Sequence, residues 1–272
     1  MKNENRVMVL GTGTSTGIPV IGCKCKVCNS KDIRNKRLRT SVLLALKSGV
    51  NILIDPSPDL RYQVITSGIE RVDATIVTHT HADHIHGMDD LRPFCFGKDK
   101  RKAIPLFAGK WACTELRQRF PYIFARGDRP IIGGGIPLLS LLEVGSDRVE
   151  KILEEEFFFF ELPHGHTKSL GFFHQGLAYL IDCSEIPELV LHFLEKANVK
   201  LLIIDCLRRK KHQTHLCLEE SLNYIDRIKP HFAGLIHLAD AFDHQELCLE
   251  IEERYQRKDY IRPLVDSEIL TY

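Results

Sequence analysis

The run Thr78-His79-Thr80-His81-Ala82-Asp83-His84 places three imidazoles and one carboxylate within six residues, directly after the apolar stretch Ala74-Thr75-Ile76-Val77. If the strand direction carries through, His79 and His81 project to one side, as alternate positions of an extended segment do. Asp83 and His84 then open the next helix and face the same space. Imidazole nitrogen and carboxylate oxygen are ligands that Zn²⁺ or Mn²⁺ takes at roughly 2.0–2.2 Å, and four such groups exceed the needs of one ion with an open position. The pattern reads as a two-metal site. A solvated loop that happens to be rich in histidine would account for one of these residues but not for their spacing.

A second cluster is Gly22-Cys23-Lys24-Cys25-Lys26-Val27-Cys28. In a reducing compartment, thiols this close bind metal more readily than they form disulfides. Cys23, Cys25 and Cys28 call for a fourth ligand from elsewhere, and a closed tetrahedral zinc would clamp the loop with an apparent binding free energy on the order of 10 kcal/mol. The other six of the nine cysteines, Cys95, Cys113, Cys183, Cys206, Cys217 and Cys248, are scattered without paired spacing and read as reduced, buried thiols.

The elements that must position these groups alternate between strand and helix. Strands are expected at Arg6–Leu10, Leu43–Leu46, Asn51–Ile54, Ile104–Phe107, Phe157–Phe160, Leu177–Ile181, Leu201–Ile204 and Phe232–Ile236. Helices are expected at Pro58–Thr66, His84–Leu91, Lys110–Arg119, from Leu218 and from Gln245 to Lys258. This alternation suggests sheets covered by helices, an α/β class. Gly11-Thr12-Gly13-Thr14-Ser15-Thr16-Gly17 follows the first strand, but Thr16 stands where a dinucleotide fingerprint needs glycine and Ile18-Pro19 replaces its helix, so it reads as a turn. The glycine-rich stretch 127–137 is a loop rather than a phosphate cradle, and 97–102 is a charged turn. The basic run Arg34 to Arg39 reads as a solvated face, or else as electrostatic help for a phosphate.

A length of 272 residues suits one α/β domain spanning 1–272, with a cysteine-rich zinc-binding loop at about 22–40. A net charge of +1 with 44% hydrophobic residues leaves no large basic field to gather nucleic acid, so a polymer substrate is not implied. No apolar run approaches a membrane span and Met1 to Asn5 lacks the apolar core of a signal peptide, so a cytoplasmic location without membrane association is expected. A homodimer is compatible with this composition.

The His79-x-His81-x-Asp83-His84 pattern resembles the signature of the metallo-β-lactamase fold, and the cysteine insertion narrows the resemblance to PhnP-type cyclic phosphodiesterases and PqqB-type cofactor-biosynthesis proteins. The resemblance implies a four-layer αβ/βα sandwich. Leu162-Pro163-His164-Gly165-His166-Thr167, ahead of Gly171-Phe172, is similar to the family's His-Gly loop and implies His164 as a ligand, with His166 as the alternative. The loop Asp182-Cys183-Ser184 implies Asp182 as a bridging carboxylate, although a strand-end Asp is otherwise commonly a helix cap. His237, at the end of a strand, matches the last ligand. The implied set is His79, His81 and His164 on one metal and Asp83, His84 and His237 on the other. Asp182 stands between two ions roughly 3.5–4 Å apart.

His215, ahead of the Leu218 helix, matches a histidine that faces substrate and would hold a phosphate oxygen or protonate a leaving alkoxide. PhnP-type enzymes complete the structural zinc with a histidine three residues after the last ligand. Here that position is Asp240, which leaves a Cys₃Asp site or a contribution from His244. The iron oxygen-reducing branch typically carries Glu where this chain has His81, which argues for zinc or manganese. The implied activity is a two-metal phosphodiesterase for small cyclic phosphodiesters such as ribose 1,2-cyclic phosphate, with attack by a metal-bridging hydroxide and with Asp83 and His215 as catalytic residues. The alternatives are a tRNA 3′-end nuclease, for which a basic exosite is lacking, and a PqqB-like protein without hydrolytic turnover.

Overall fold

The computed structural model describes residues 4–96, 102–124, 135–256 and 260–272. Most of the charged turn (97–101) and of the glycine-rich loop (127–134) expected above lie outside the described residues. The chain builds two seven-stranded sheets in succession. The first takes β1 (Arg6–Gly11), β2 (Ser41–Ala45), β3 (Asn51–Ile54), β4 (Ala74–Val77), β5 (Ile104–Gly109) and β6 (Leu139–Val144). The second takes β7 (Arg148–Ile152), β8 (Glu155–His164), β9 (Thr167–His174), β10 (Leu177–Leu180), β11 (Leu201–Asp205), β12 (Phe232–Ile236) and β13 (Ile261–Pro263), after which β14 (Ile269–Thr271) returns to pair with β1. The orders are β14-β1-β2-β3-β4-β5-β6 and β13-β12-β11-β10-β9-β8-β7. In each sheet, one half is antiparallel and the other, β3 to β6 or β10 to β13, is parallel.

Period-two burial explains the layers. Val42, Leu44, Ile52 and Ile54 of the first sheet meet Phe157, Phe159, Phe172, Tyr179, Leu201 and Ile203 of the second in a core between the sheets. Leu43, Leu53 and Val77 turn outward under α1 (Leu60–Ser67) and a helix pair described below. Alternate residues of the second sheet, such as Leu202, Ile204 and Leu235, pack under its own helices. Strands buried on both faces therefore read as near-continuous apolar runs. The Phe157–Phe160 run is structural. Phe157 and Phe159 seal the inter-sheet core while Phe160 faces the helices, and truncating such a side chain to alanine costs about 3–5 kcal/mol.

The remaining helices are α2 (Ala82–Ile85), α3 (Lys110–Arg119), α4 (Pro121–Phe124), α5 (Glu188–Lys196), α6 (Leu218–Ile228) and α7 (His244–Tyr255). Helices α3 and α4 cover the first sheet with α1, and α5, α6 and α7 cover the second, giving helix, sheet, sheet and helix in layers. Helix α1 stops at Gly68, whose φ of 63° is the left-handed cap that glycine adopts without strain.

Two expectations need correction. The helix from His84 to Leu91 is broken: α2 ends at Ile85, and a 3-10 segment runs from Met88 to Cys95. The cause is tertiary, for the Gly87 amide donates to Pro56 O and a Cβ there would lie 1.9 Å from Ser57 O. The basic run Arg34 to Arg39 is not a freely solvated face. Arg34 pairs with Asp32, Arg39 pairs with Asp59, and Arg37 is 1% exposed.

Candidate metal centre

The predicted ligands stand on strand ends of the two sheets, most of them in the parallel halves and His164 at the end of antiparallel β8. β4 runs into Thr78–His81 and α2, β8 ends at His164, β10 leads to Asp182, β11 ends at Asp205 and β12 leads to His237. Crevices outside the carboxyl ends of parallel strands are where such sheets bind ligands. Residues more than 150 positions apart converge here. Ligand atoms of His79, His81 and His164 form one group, those of Asp83, His84, Asp182 and His237 a second, each within 4.8 Å of one another. His164 Nε2 lies 3.0 Å from His81 Nδ1, while His166, the alternative, is exposed on the turn and joins neither group. Asp182 stands between the groups. Its Oδ2 is 3.1 Å from His84 Nε2 and 3.6 Å from His79 Nε2, and its Oδ1 is 3.3 Å from His237 Nδ1.

The hydrogen bonds around the groups fix which nitrogen points inward. Asp55 Oδ1 accepts from Thr78 N at 2.7 Å, and Oδ2 accepts from Thr78 Oγ1 at 2.7 Å and from His84 Nδ1 at 2.8 Å. The Thr78 hydroxyl proton is thereby spent on Asp55, so at 3.0 Å Thr78 Oγ1 must accept from His79 Nδ1. His164 Nδ1 likewise donates to Thr214 O at 2.7 Å. Each of the three rings is left with a bare Nε2, the arrangement in which a metal-binding histidine is oriented by a partner behind it. His237, in a left-handed backbone conformation (φ 63°), is held between Thr14 Oγ1 and Thr40 Oγ1, each 3.1 Å away.

Charge and burial make the same demand. Asp55, Asp83 and Asp182 crowd His84. Burial alone would lower its basicity, but Asp182, Asp83 and Asp55 outweigh that and raise it well above the ordinary range. Burial also pushes on Asp182, yet His237, His84 and His215 hold its carboxyl well below the usual carboxylate range. Burial drives His79 well down, and takes His164 and His237 to about 4. His79 Nε2, His84 Nε2 and Asp182 Oδ1 are buried with no hydrogen-bond partner. Buried orphan atoms of this kind need an explanation. Lone pairs and carboxylates converging on one space, with a cation able to displace the extra proton that the carboxylates draw onto His84, are a donor set that fits divalent cations.

His215 lies over this space, its ring 4.8 Å from those of both His164 and His237. Its Nδ1 donates to Asp205 Oδ2 at 2.9 Å, and although burial opposes it, Asp205 and Asp182 raise it to about 9. Sequence reasoning left Asp55 and Asp205 without a role. Both are acids that end an apolar strand, one before Pro56 and one before Cys206, and that position at a parallel strand end was the available signal. Thr14, Thr40 and Thr78 carried no signal of their own.

The cysteine loop closes on a separate site. Cys23 Sγ and Cys25 Sγ are each 3.5 Å from Asp240 Oδ2, and Cys28 Sγ is 3.9 Å from it. Bond lengths of about 2.3 Å to sulfur and about 2.0 Å to oxygen give a tetrahedral edge of about 3.5 Å. Backbone amides of Val20, Cys25 and Cys28 donate to the sulfurs of Cys28, Cys23 and Cys25, each at 3.4 Å. The amide of Cys28 lowers the Cys25 thiol, whereas burial pushes Cys28 up to about 11. The structure brings Asp240 rather than His244 to this cluster. Among the described residues no helix is long and apolar enough to cross a membrane.

Comparison with known proteins adds the following. Residues 50–238 match the family described as the β-lactamase superfamily domain. The chain is 37% identical to an octanoyltransferase of Porphyromonas gingivalis over 89% of its own length and 47% of that protein. It spans about half or less of the curated relatives it matches. A crystal structure of a new diphosphatase from the PhnP family superposes with a TM-score of 0.87 at 32% identity, covering 99% of this chain and 97% of that one. Zn²⁺-bound PqqB from Methylobacterium extorquens superposes with a TM-score of 0.78 at 15% identity over 97% and 99% of the two chains, a likeness of fold.

Proposed function

This chain belongs to the β-lactamase superfamily and, within it, to the PhnP family, and on that premise we propose that it is a metal-dependent phosphodiesterase acting on small, preferably cyclic, phosphodiesters. The observation that carries this reading is the placement of His215, backed by Asp205, within ring contact of the two ligand groups. His79, His81 and His164 would hold one divalent cation and Asp83, His84 and His237 another, with Asp182 shared between them. Zinc or manganese bound there would polarise a phosphoryl oxygen and supply a nucleophilic water near neutral pH.

The protein's own groups do the rest. Asp55 directly, and through Thr78, keeps His84 and His79 in the inward-facing tautomer. Asp205 holds His215 by Nδ1 and stabilises its imidazolium, so that Nε2 is the atom that would deliver a proton to the departing alkoxide. The PhnP-family relative is described as a diphosphatase, which extends the substrates worth testing from phosphodiesters to phosphoric anhydrides. The octanoyltransferase relative is about twice as long as the matched part, so its activity needs no seat in the half shared with this chain.

The test is hydrolysis by the Zn²⁺- or Mn²⁺-reconstituted protein. Turnover of bis(p-nitrophenyl) phosphate and of ribose 1,2-cyclic phosphate supports the proposal. A reconstituted protein that leaves every phosphodiester and diphosphate untouched favours a PqqB-like role, and cleavage confined to a tRNA precursor favours the nuclease.

A further inference from the structure

Arg37 is among the largest fully buried side chains, at 1% exposure. Its Nη1 donates to Ala239 O at 3.1 Å, and its Nη2 donates to Phe242 O at 2.8 Å and to Asn35 Oδ1 at 3.3 Å. All three acceptors are neutral, Nε has no partner, and among the described residues no carboxylate lies within ion-pair reach of the guanidinium. Burial lowers Arg37 to about 10 against the pull of Asp266, Asp243, Asp240 and Asp32, none of which it touches, so it stays charged at neutral pH. A buried cation that touches no carboxylate is costly, and one that persists calls for negative charge held close by.

The segment it grips supplies the clue. Ala239 and Phe242 flank Asp240 and Ala241, and Asp240 gathers the three cysteine sulfurs. A zinc ion held by three thiolates and one carboxylate carries two surplus negative charges, and it would sit one residue from the carbonyl that Arg37 holds. The same segment starts at His237, in its left-handed conformation. Around it, Leu238 N donates to Thr12 O, Thr14 N donates to Leu238 O, and Thr40, three residues after Arg37, touches the His237 ring. Asn35 extends the grip: its Nδ2 donates to Asp243 at 2.8 Å and its Oδ1 accepts from His244 N at 2.8 Å. Residues 35–40 thus hold 237–244 along its length, a segment that carries a ligand of the catalytic centre, His237, and three residues on the carboxylate of the cysteine site, Asp240.

We propose that Arg37 is a positioning residue that couples the two metal sites: its guanidinium is the counter-charge of the loaded Cys₃Asp site and fixes the segment that carries both Asp240 and His237. The coupling rests on the reading of His237 as a ligand given above, and its readout is metal binding rather than turnover. Linkage requires that it be reciprocal, and coupling of this kind typically spans about 5- to 150-fold in affinity.

Zinc affinity at the catalytic centre is measured by competition with a chromophoric chelator in the full-length native protein, Cys25→Ser, Arg37→Met and the double variant. Cys25→Ser, which unloads the cysteine site, is expected to weaken catalytic-centre zinc by at least ~5-fold. Arg37→Met is expected to weaken it likewise and to lose cysteine-site zinc. Adding Cys25→Ser to Arg37→Met should then change catalytic affinity by less than about twofold, the non-additivity of residues acting as one unit. Full additivity, or Cys25→Ser leaving catalytic affinity within about twofold of native, overturns the proposal. If circular dichroism shows Arg37→Met unfolded, Arg37→Lys replaces it. Lysine keeps the charge but cannot span both carbonyls, so it should retain cysteine-site zinc and weaken catalytic-centre zinc, and native affinity at the catalytic centre would overturn the coupling. A native protein that binds zinc only at the cysteines sinks both the functional reading and the coupling. Tight catalytic zinc that no variant disturbs sinks the coupling alone.

Discussion

Replacing Asp55 by Asn exchanges one oxygen for an NH₂ and should disable both halves of the metal centre. Asp55 is fully buried at a φ of 57°, a left-handed conformation that asparagine also tolerates, so the backbone has no reason to move. With the amide oxygen kept on Thr78 N, the NH₂ takes the place of Oδ2, which now accepts from Thr78 Oγ1 and His84 Nδ1. An NH₂ only donates. His84 must then accept at Nδ1 and carry its proton on Nε2, the atom 3.1 Å from Asp182. Thr78 Oγ1 becomes an acceptor toward the new NH₂ and is freed to donate to His79 Nδ1, which moves the His79 proton to Nε2 as well. Loss of such an orienting partner typically costs about 10- to 100-fold in metal affinity, or about 1.4–2.7 kcal/mol per site. Competition titration with a chromophoric chelator, alongside circular dichroism, reads the outcome. Both catalytic-centre affinities should fall by that factor while the cysteine site, remote from Asp55, keeps its zinc. Native affinity at both positions would refute the tautomer argument, and a loss confined to the Asp83–His84–His237 position would refute the Thr78 relay.

Other perturbations separate the remaining roles. Asp83→Ala should abolish hydrolysis with the fold intact by circular dichroism, and unchanged turnover would remove Asp83 from the ligand set. Cys25→Ser should lower zinc content by about one equivalent and reduce thermal stability, as the loss of a structural zinc ligand does, which metal analysis and melting curves check. His215→Ala should cost roughly 10²–10⁴-fold on a substrate with an alkyl leaving group and far less on an aryl one, and equal losses on both would mean that His215 does not supply a proton. Asp266, whose carboxyl accepts from Thr12 Oγ1 and Leu38 N, is raised by burial to about 6. A carboxyl raised in the folded state contributes stability that is present below its unfolded value and lost as pH rises through about 6. Urea unfolding at pH 4 and pH 7 should therefore show the native protein losing up to roughly 3 kcal/mol relative to Asp266→Asn, and a pH-independent difference would refute it.

The reason so much of the centre could be read from the chain is that its ligands follow apolar strands. Ile76 and Val77 announce a strand end, and three imidazoles in six residues announce its chemistry. Asp182, His164 and His237 are isolated in sequence and acquire meaning only through the fold that gathers them. Asp55 and Asp205 stayed silent because each reaches the centre through another side chain, and a single acid at a strand end has many uses. The broken helix after His84 was illegible for a tertiary reason, the backbone of residues 56 and 57 lying against Gly87. Arg37 misled in the same way. A run of basic residues looks solvated, and only the carbonyls of Ala239 and Phe242, some two hundred positions away, bury it.

Anomalous diffraction from crystals of the zinc-loaded protein tests the central claim most directly. The account predicts two scatterers roughly 3.5–4 Å apart, flanked by His79, His81 and His164 on one side and by Asp83, His84 and His237 on the other, with Asp182 between them. A protein that shows one scatterer or none among those residues contradicts it.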